Sequence, residues 1–276
     1  MKKILSVLAL LLTCIFTLAS CGVNKENTIV VGTMAQPGEP ILESVRDALK
    51  EKGYDLKIQL FSDFNTPNQA LAEGSIDANL FQHEPFLVNY NNANGTDLYC
   101  AAKLYDCVYG GYTRKNISSL DQIPEGKTIT IANDASNMLR CLKILAASNV
   151  ITLIDELPAT LNATDINEYI ASNPKNLVIN PIATNMIAAS LNDENTYLGL
   201  VNATFAIAAG LTSDQLLCKE ADPEHVNANI LACRADNKDS DKIKALVEVL
   251  TSDATATFIN AQFKGTIIPY FVDLVK

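Results

Sequence analysis

Residues 28–80 have the sequence TIVVGTMAQPGEPILESVRDALKEKGYDLKIQLFSDFNTPNQALAEGSIDANL. This stretch alternates short apolar runs with segments in which apolar residues recur at helical spacing. Three runs have the composition of buried strands: Thr28–Gly32, Leu56–Phe61 and Ile76–Leu80. A helix is predicted from Ile41 to Leu49, before Gly53, and a second begins near Pro67. The order strand, helix, strand, helix, strand predicts a parallel sheet with helices on both faces.

The rest of the chain continues the same alternation. Further strands are predicted at Thr128–Ala132, Val178–Asn180, Tyr197–Val201 and Asn229–Arg234. Further helices are predicted at Met138–Ala147, at Ile182–Ser190 and along the stripe of Ile243, Leu246, Val247 and Leu250. Two α/β sets in one chain of this length favour two lobes of ordinary size.

Residues 1–20 have the features of a secretory signal peptide. Lys2 and Lys3 precede an apolar run from Ile4 to Ala19, which is shorter than the roughly 20 residues that span a membrane. The small residues before Cys21 match the cleavage site of bacterial lipoproteins, in which this cysteine carries a diacylglycerol. We therefore expect a lipid-anchored protein that begins at Cys21, with residues 21–27 as a polar tether. A soluble exported protein and an uncleaved anchor are the alternatives.

Composition and charge narrow the function. The 276 residues carry a net charge of −10, which argues against nucleic-acid binding because phosphates require basic surfaces. The cysteines that follow Cys21 match no zinc-binding spacing, and we expect most of them to be unpaired thiols: Cys100, Cys107, Cys141, Cys218 and Cys233. We expect neither a metal nor a cofactor.

The sequence contains no motif for nucleotide binding or catalysis: no G-x-G-x-x-G, no P-loop, no G-x-S-x-G and no H-E-x-x-H. The two histidines are His83 and His225. A cysteine–histidine nucleophile pair formed from distant residues stays an alternative. The balance favours a binding protein without catalytic residues over an enzyme.

Four longer motifs stand out along the chain. They are FSDFNTPNQAL at 61–71, DANLFQHEPF at 77–86, NDASNMLR at 133–140 and VNATFA at 201–206. Taken together, they resemble the NLPA-type lipoprotein family, the methionine-binding lipoproteins of bacterial ABC importers. The likeness covers nearly the whole chain after the signal peptide, in the right order, and its most specific part is the F-Q-H-x-P motif at 81–85.

The resemblance implies a two-lobed periplasmic-binding-protein fold, in which each lobe is a mixed sheet flanked by helices. Two hinge crossings are expected, near Gly110–Lys115 and near Asn229–Arg234. Lobe one would comprise residues 28–111 plus 231–276, and lobe two residues 112–230. The ligand would lie between the lobes, and the protein is expected to be a monomer.

The resemblance also implies a ligand site. Arg140 would bind the ligand carboxylate, which suits the planar fork of a guanidinium. Asn202 and Asn229 would offer amide oxygens to the ammonium group. The side-chain pocket would consist of Phe64, Phe81, His83 and Phe86, because aromatic faces favour contact with a thioether sulfur. The sequence departs from the family where Phe64, Leu80 and Phe86 replace frequent tyrosines and where Cys107-Val108 replaces Glu-Pro.

The function implied is capture of a free amino acid, with methionine favoured, and its delivery to an ABC permease driven by a separate ATPase subunit. The protein would be held on the extracytoplasmic face of the cell membrane through the lipid on Cys21. Two alternatives stay open: the same scaffold binding another apolar amino acid or a short peptide, and an adhesin or sensor lipoprotein without a transport role.

Overall fold

The structure, a computed structural model, describes residues 27–158 and 161–275. These residues form two mixed β-sheets flanked by helices, so the predicted α/β class is confirmed. The predicted signal peptide and the lipid site Cys21 lie outside the described residues. Within the described part, every helix is too short or too polar to cross a membrane.

The first sheet has six strands. They are β1 (Thr28–Met34), β2 (Asp55–Phe61), β3 (Ala78–His83), β4 (Tyr99–Cys107), β12 (Asn229–Cys233) and β13 (Ile267–Asp273). Their spatial order is β13, β4, β12, β3, β1, β2. Strand β1 runs parallel to β2 and β3, whereas β12 is antiparallel to both β3 and β4. The chain therefore contributes its first third and its last fifth to the same sheet.

Helices cover both faces of this sheet. They are α1 (Gly38–Ser44), α2 (Arg46–Glu51), α3 (Thr66–Ala72), α4 (Glu84–Asn94), α8 (Asp241–Leu250) and α9 (Asp253–Phe263). Alternate residues of β12 point to opposite faces, as a pleated strand requires. Ile230 packs in the cluster that contains Leu71 of α3 and Leu87 of α4, and Leu231 packs in the cluster that contains Leu246 of α8.

The second sheet has five strands in the order β11, β5, β10, β6, β9. They are β5 (Tyr109–Tyr112), β6 (Thr128–Ala132), β9 (Val178–Ile182), β10 (Thr196–Asn202) and β11 (Leu216–Lys219). The helices of this half are α5 (Ala135–Ala147), α6 (Ile187–Ser190) and α7 (Ala203–Ala208), and a two-stranded ribbon is formed by β7 (Thr152–Leu153) and β8 (Ile170–Ser172). Ile131, Met138, Leu142 and Leu198 are among the side chains of its separate hydrophobic core.

The chain passes between the sheets twice. It leaves the first sheet at Cys107 and enters the second at Tyr109, and it returns between Lys219 and Asn229. The division into two lobes with the expected boundaries stays a prediction.

Three helices differ from their predicted bounds. The helix predicted at Ile182–Ser190 is shorter, because Ile182 still belongs to β9 and α6 begins at Ile187. The segment predicted as one helix from Ile41 to Leu49 is two helices, because Val45 has φ −103° and ψ 1° and interrupts the helical hydrogen bonds. Helix α5 begins at Ala135, before the predicted Met138, since the Asp134 carboxylate accepts the backbone N–H of Asn137 and caps the first turn. This earlier start places Asn137 and Arg140 on successive turns of one helix.

Candidate functional site

A narrow cavity of about 10 Å³, little more than the room that one water molecule needs, lies between elements of the two sheets. Its walls are formed by Phe64, Phe81, Gln82, His83, Phe86, Asn137, Asn202 and Asn229. The carboxyl end of β3 and the first turn of α4 supply one side, and the first turn of α5 and the carboxyl end of β10 supply the other. Ligands of open α/β sheets bind beyond the carboxyl ends of the strands, which is where this cavity lies.

Three phenylalanine rings form the apolar part of the cavity. The ring centroid of Phe64 lies 5.6 Å from that of Phe81 and 6.1 Å from that of Phe86, and Phe81 and Phe86 are 5.8 Å apart. Phe205 of α7 belongs to the second half and packs against Phe64, with the ring centroids 4.9 Å apart and the ring planes tilted by 46°. The cavity therefore offers aromatic edges and faces to an apolar side chain.

His83 joins the two halves as a neutral imidazole. Its Nδ1 accepts the backbone N–H of Phe86 at 3.3 Å, so its proton resides on Nε2, which donates to Asn137 Oδ1 at 3.1 Å. Burial, followed by the charge of Arg140, lowers the pKa of His83 to about 3, although the bond to Asn137 opposes the shift. The imidazole therefore forms a rigid part of the cavity wall and donates one hydrogen bond, and it is uncharged at neutral pH.

Two asparagines border the cavity at strand ends. Asn202, the last residue of β10, caps α7 by accepting the Thr204 N–H at 2.9 Å. Asn229, the first residue of β12, pairs in register with His83 of β3. Both side chains are buried, and the amide of Asn229 makes no hydrogen bond within the described residues, which leaves its two polar ends for a ligand.

Arg140 lies behind Asn137, outside the cavity wall. Its Nε and Nη2 donate to the two carboxylate oxygens of Glu220 at 2.9 and 2.5 Å, and its Nη1 lies 3.4 Å from Asn137 Oδ1. The guanidinium also stacks over the ring of Tyr109 at 4.8 Å. Burial alone would lower the pKa of Arg140, but the hydrogen bonds and charge of Glu220 outweigh it and raise the pKa.

A buried amide network supports the wall formed by β3. Asn68 donates to Gln82 Oε1 at 2.7 Å, and Gln82 donates to Asn68 Oδ1 at 2.6 Å and to Asn79 Oδ1 at 3.0 Å. Asn79 in turn donates to Asn68 Oδ1 at 2.9 Å. All three side chains are buried, so their mutual bonds compensate the loss of water. The network ties α3 to the strand that carries Phe81 and His83.

The structure brings most of the predicted site residues together. Phe64, Phe81, His83, Phe86, Asn202 and Asn229 line one cavity, whereas Arg140 is paired with Glu220 beside it. Gln82 and Asn137 also line the cavity, although sequence reasoning named neither as a ligand residue; both lie within motifs that it did single out. The five cysteines among the described residues are free, and no cluster of metal-binding side chains occurs in residues 27–158 or 161–275.

A cavity with aromatic walls and polar amides, set between two mixed sheets, is typical of a small-molecule-binding protein of the α/β class. The sequence model of the NlpA lipoprotein family matches residues 29–271. The chain belongs to this family.

Named relatives cover nearly the full length. The methionine-binding lipoprotein MetQ of Bacillus subtilis (strain 168) is 35% identical over 277 residues, with 98% of this chain and 99% of the relative covered. The D-methionine-binding lipoprotein MetQ of Salmonella typhi is 34% identical over 253 residues, with 90% of this chain and 91% of the relative covered.

Solved structures share the fold. A nutrient-binding protein from Burkholderia cenocepacia, bound to methionine, superposes with a TM-score of 0.81 at 33% identity, covering 88% of this chain and 100% of the neighbour. A periplasmic substrate-binding protein of an ABC transporter from Coxiella burnetii gives a TM-score of 0.79 at 35% identity, covering 88% of this chain and 100% of the neighbour. These neighbours are binding proteins.

Proposed function

We propose that this chain is a lipid-anchored substrate-binding protein on the extracytoplasmic face of the membrane. It captures free methionine at the narrow cavity between its two sheets, which widens to admit the ligand, and delivers it to an ABC permease whose ATPase is a separate subunit. It is a carrier without catalytic activity. The observation that carries this proposal is one cavity that combines three phenylalanine rings with two amides, those of Asn202 and Asn229, whose Nδ2 groups make no hydrogen bond within the described residues.

The apolar part of the cavity suits a thioether. Sulfur–aromatic contacts contribute about 0.3–1.5 kcal/mol each, and the rings of Phe64, Phe81 and Phe86 lie within 6.1 Å of one another. A methionine side chain is flexible enough to thread between such rings. The relatives named for methionine binding and the methionine-bound neighbour support the same ligand.

The polar part of the cavity suits the amino-acid end. Asn202 and Asn229 lie at strand ends and line the same cavity. Both side chains are neutral, so neither has to gain or lose a proton when a zwitterion binds. Arg140 lies behind Asn137, where its guanidinium is paired with Glu220. We expect its charge, rather than direct pairing, to favour the carboxylate end, with Asn137 between guanidinium and ligand.

Binding from two sides favours a closed form. His83 and Phe64 belong to the first half, and their partners Asn137 and Phe205 belong to the second. A ligand that contacts both halves stabilises the closed form, because only the closed form makes both sets of contacts. The hinges would be the two chain crossings, at Val108 and across residues 220–228, which adjoin the segments expected from the sequence near Gly110–Lys115 and Asn229–Arg234. The lipid on Cys21 would keep the carrier near its permease.

The test is calorimetry and thermal unfolding with residues 22–276, freed of bound ligand by unfolding and refolding. At 100 times Kd, methionine should stabilise the protein by about 2.7 kcal/mol, a rise in Tm of roughly 5–11 °C. Asn229→Ala should weaken binding at least tenfold, about 1.4 kcal/mol, while Asn116→Ala, at an exposed loop position, should not. Binding of another apolar amino acid or a peptide in place of methionine would redirect the proposal, and no binding at all would favour an adhesin or sensor.

A further inference from the structure

The side chain of Asn202 is held by two hydrogen bonds, both accepted by its amide oxygen. Oδ1 accepts the backbone N–H of Thr204 at 2.9 Å and the thiol of Cys107 at 3.3 Å. A backbone N–H can only donate, so the atom facing it must be the amide oxygen. The orientation of this amide is therefore determined by its surroundings.

The opposite end of the amide faces a different environment. Nδ2 of Asn202 makes no hydrogen bond within the described residues, although the residue lines the cavity and is buried. It therefore offers two N–H donors and no acceptor to a ligand. An ammonium group carries only donors, whereas a carboxylate carries only acceptors. The geometry matches Asn202 to the carboxylate end of an amino acid and leaves Asn229 for the ammonium end.

We infer that Cys107 is a positioning residue of the ligand site: its thiol, together with the Thr204 N–H, holds the Asn202 amide so that Nδ2 donates to the carboxylate of the bound ligand. This inference rests on the proposed function and differs from the ammonium contact expected for Asn202 from the sequence. Cys107 is the last residue of β4, at the first crossing between the sheets. It is buried, and Thr204 Oγ1 lies 3.9 Å from its sulfur.

The state of the thiol is compatible with this role. Burial raises the pKa of Cys107, an effect that the charge of Arg140 and bonds to Thr204 only partly offset. The sulfur therefore keeps its proton at neutral pH, and an S–H group, although a weak donor, is directed at an oxygen that has a second lone pair available.

The first experiment replaces Asn202 by aspartate and measures the Kd for methionine by calorimetry. Aspartate has the same shape and still caps α7, but it presents an oxygen where Nδ2 stood. If Asn202 donates to the carboxylate, Asn202→Asp should weaken binding at least about tenfold, the loss of a hydrogen bond to a charged group. If Asn202 accepted from the ammonium, the same change would retain or tighten binding, and that result overturns the inference.

The second experiment tests Cys107 itself and does not depend on the aspartate variant folding. Cys107→Ala should weaken methionine binding about two- to twelvefold, the range for one neutral hydrogen bond, and Cys107→Ser should restore most of it. Cys100→Ala, which removes a buried thiol at the other end of β4, is the matched control and should leave Kd unchanged. Equal Kd values for Cys107→Ala and the unmodified protein, or equal losses in Cys107→Ala and Cys107→Ser, overturn the positioning role.

The two levels of failure are distinguishable. Absence of methionine binding by the unmodified protein overturns the proposed function and this inference with it. Tight methionine binding that survives Asn202→Asp overturns the inference alone and leaves the proposed function standing.

Discussion

The ion pair between Arg140 and Glu220 allows a sharp test of the site's electrostatics. Arg140 is 4% exposed, and the side chain of Glu220 is 14% exposed. Glu220 accepts two hydrogen bonds from the guanidinium and a third from Asn227 at 3.0 Å. Glu220→Ala would remove all three bonds and leave a buried guanidinium without its counter-charge.

The expected cost follows from burial. Removing one partner of a buried pair costs about 3–5 kcal/mol, because the remaining charge stays desolvated without compensation. For a protein of this size each kcal/mol lowers Tm by roughly 2–4 °C. Glu220→Ala should therefore lower Tm by about 6–20 °C. Glu220→Gln keeps an acceptor for one N–H and should lose less.

The assay is thermal unfolding of ligand-free protein, because a bound ligand would add its own stabilisation. Glu43→Ala is the matched control, since Glu43 pairs with Arg46 through two hydrogen bonds on an exposed helix surface. Such pairs contribute at most about 1 kcal/mol. If Glu220→Ala costs no more than Glu43→Ala, the buried pair does not compensate the desolvation of Arg140 and the reasoning fails.

Two further predictions concern titratable groups. The pKa of His83 is about 3 when folded and about 6.5 when unfolded, so the unfolded chain binds the extra proton and stability falls as pH drops through this interval. Between pH 8 and 5, His83 should lower the free energy of unfolding by about 2 kcal/mol. In denaturant unfolding, the free energy of unfolding of His83→Gln should therefore depend less steeply on pH than that of the unmodified protein. Equal pH dependence in the two proteins would contradict the burial argument. The second prediction is that a thiol reagent labels all five cysteines of residues 22–276 only after the protein is unfolded. Burial raises the thiol pKa values, to about 12 for Cys100, Cys141 and Cys233. Rapid labelling of all five in the folded protein would refute this.

Some strands that bury both faces were predictable from the sequence, whereas the buried strands β4 and β5 were not predicted. Thr128–Ala132 has its predicted bounds, because a run of apolar and β-branched residues has few other stable conformations. Strand β13 was not predicted. Only Ile267 of its seven residues is buried, and Pro269 interrupts the pattern, as an edge strand allows. Helix α9 was also missed, since polar residues lie between its few buried ones.

The candidate site divides in the same way. Its aromatic wall was predictable because Phe81, His83 and Phe86 lie in one local motif. The partner of Arg140 was not, because Glu220 is 80 residues away and nothing near either residue indicates their pairing. One partner of the Asn202 side chain, Cys107, likewise belongs to the other sheet and lies far away in the sequence.

The amide network of Asn68, Asn79 and Gln82 has a consequence for how ligand preference can change. Because it fixes β3 against α3 before any ligand arrives, that half of the site loses little conformational entropy on binding. Phe64 and Phe86 sit above this preorganised base and are themselves only half-buried. Substitutions at these two rings can therefore change ligand selectivity during evolution while the buried amide network, and with it the folded state, stays intact.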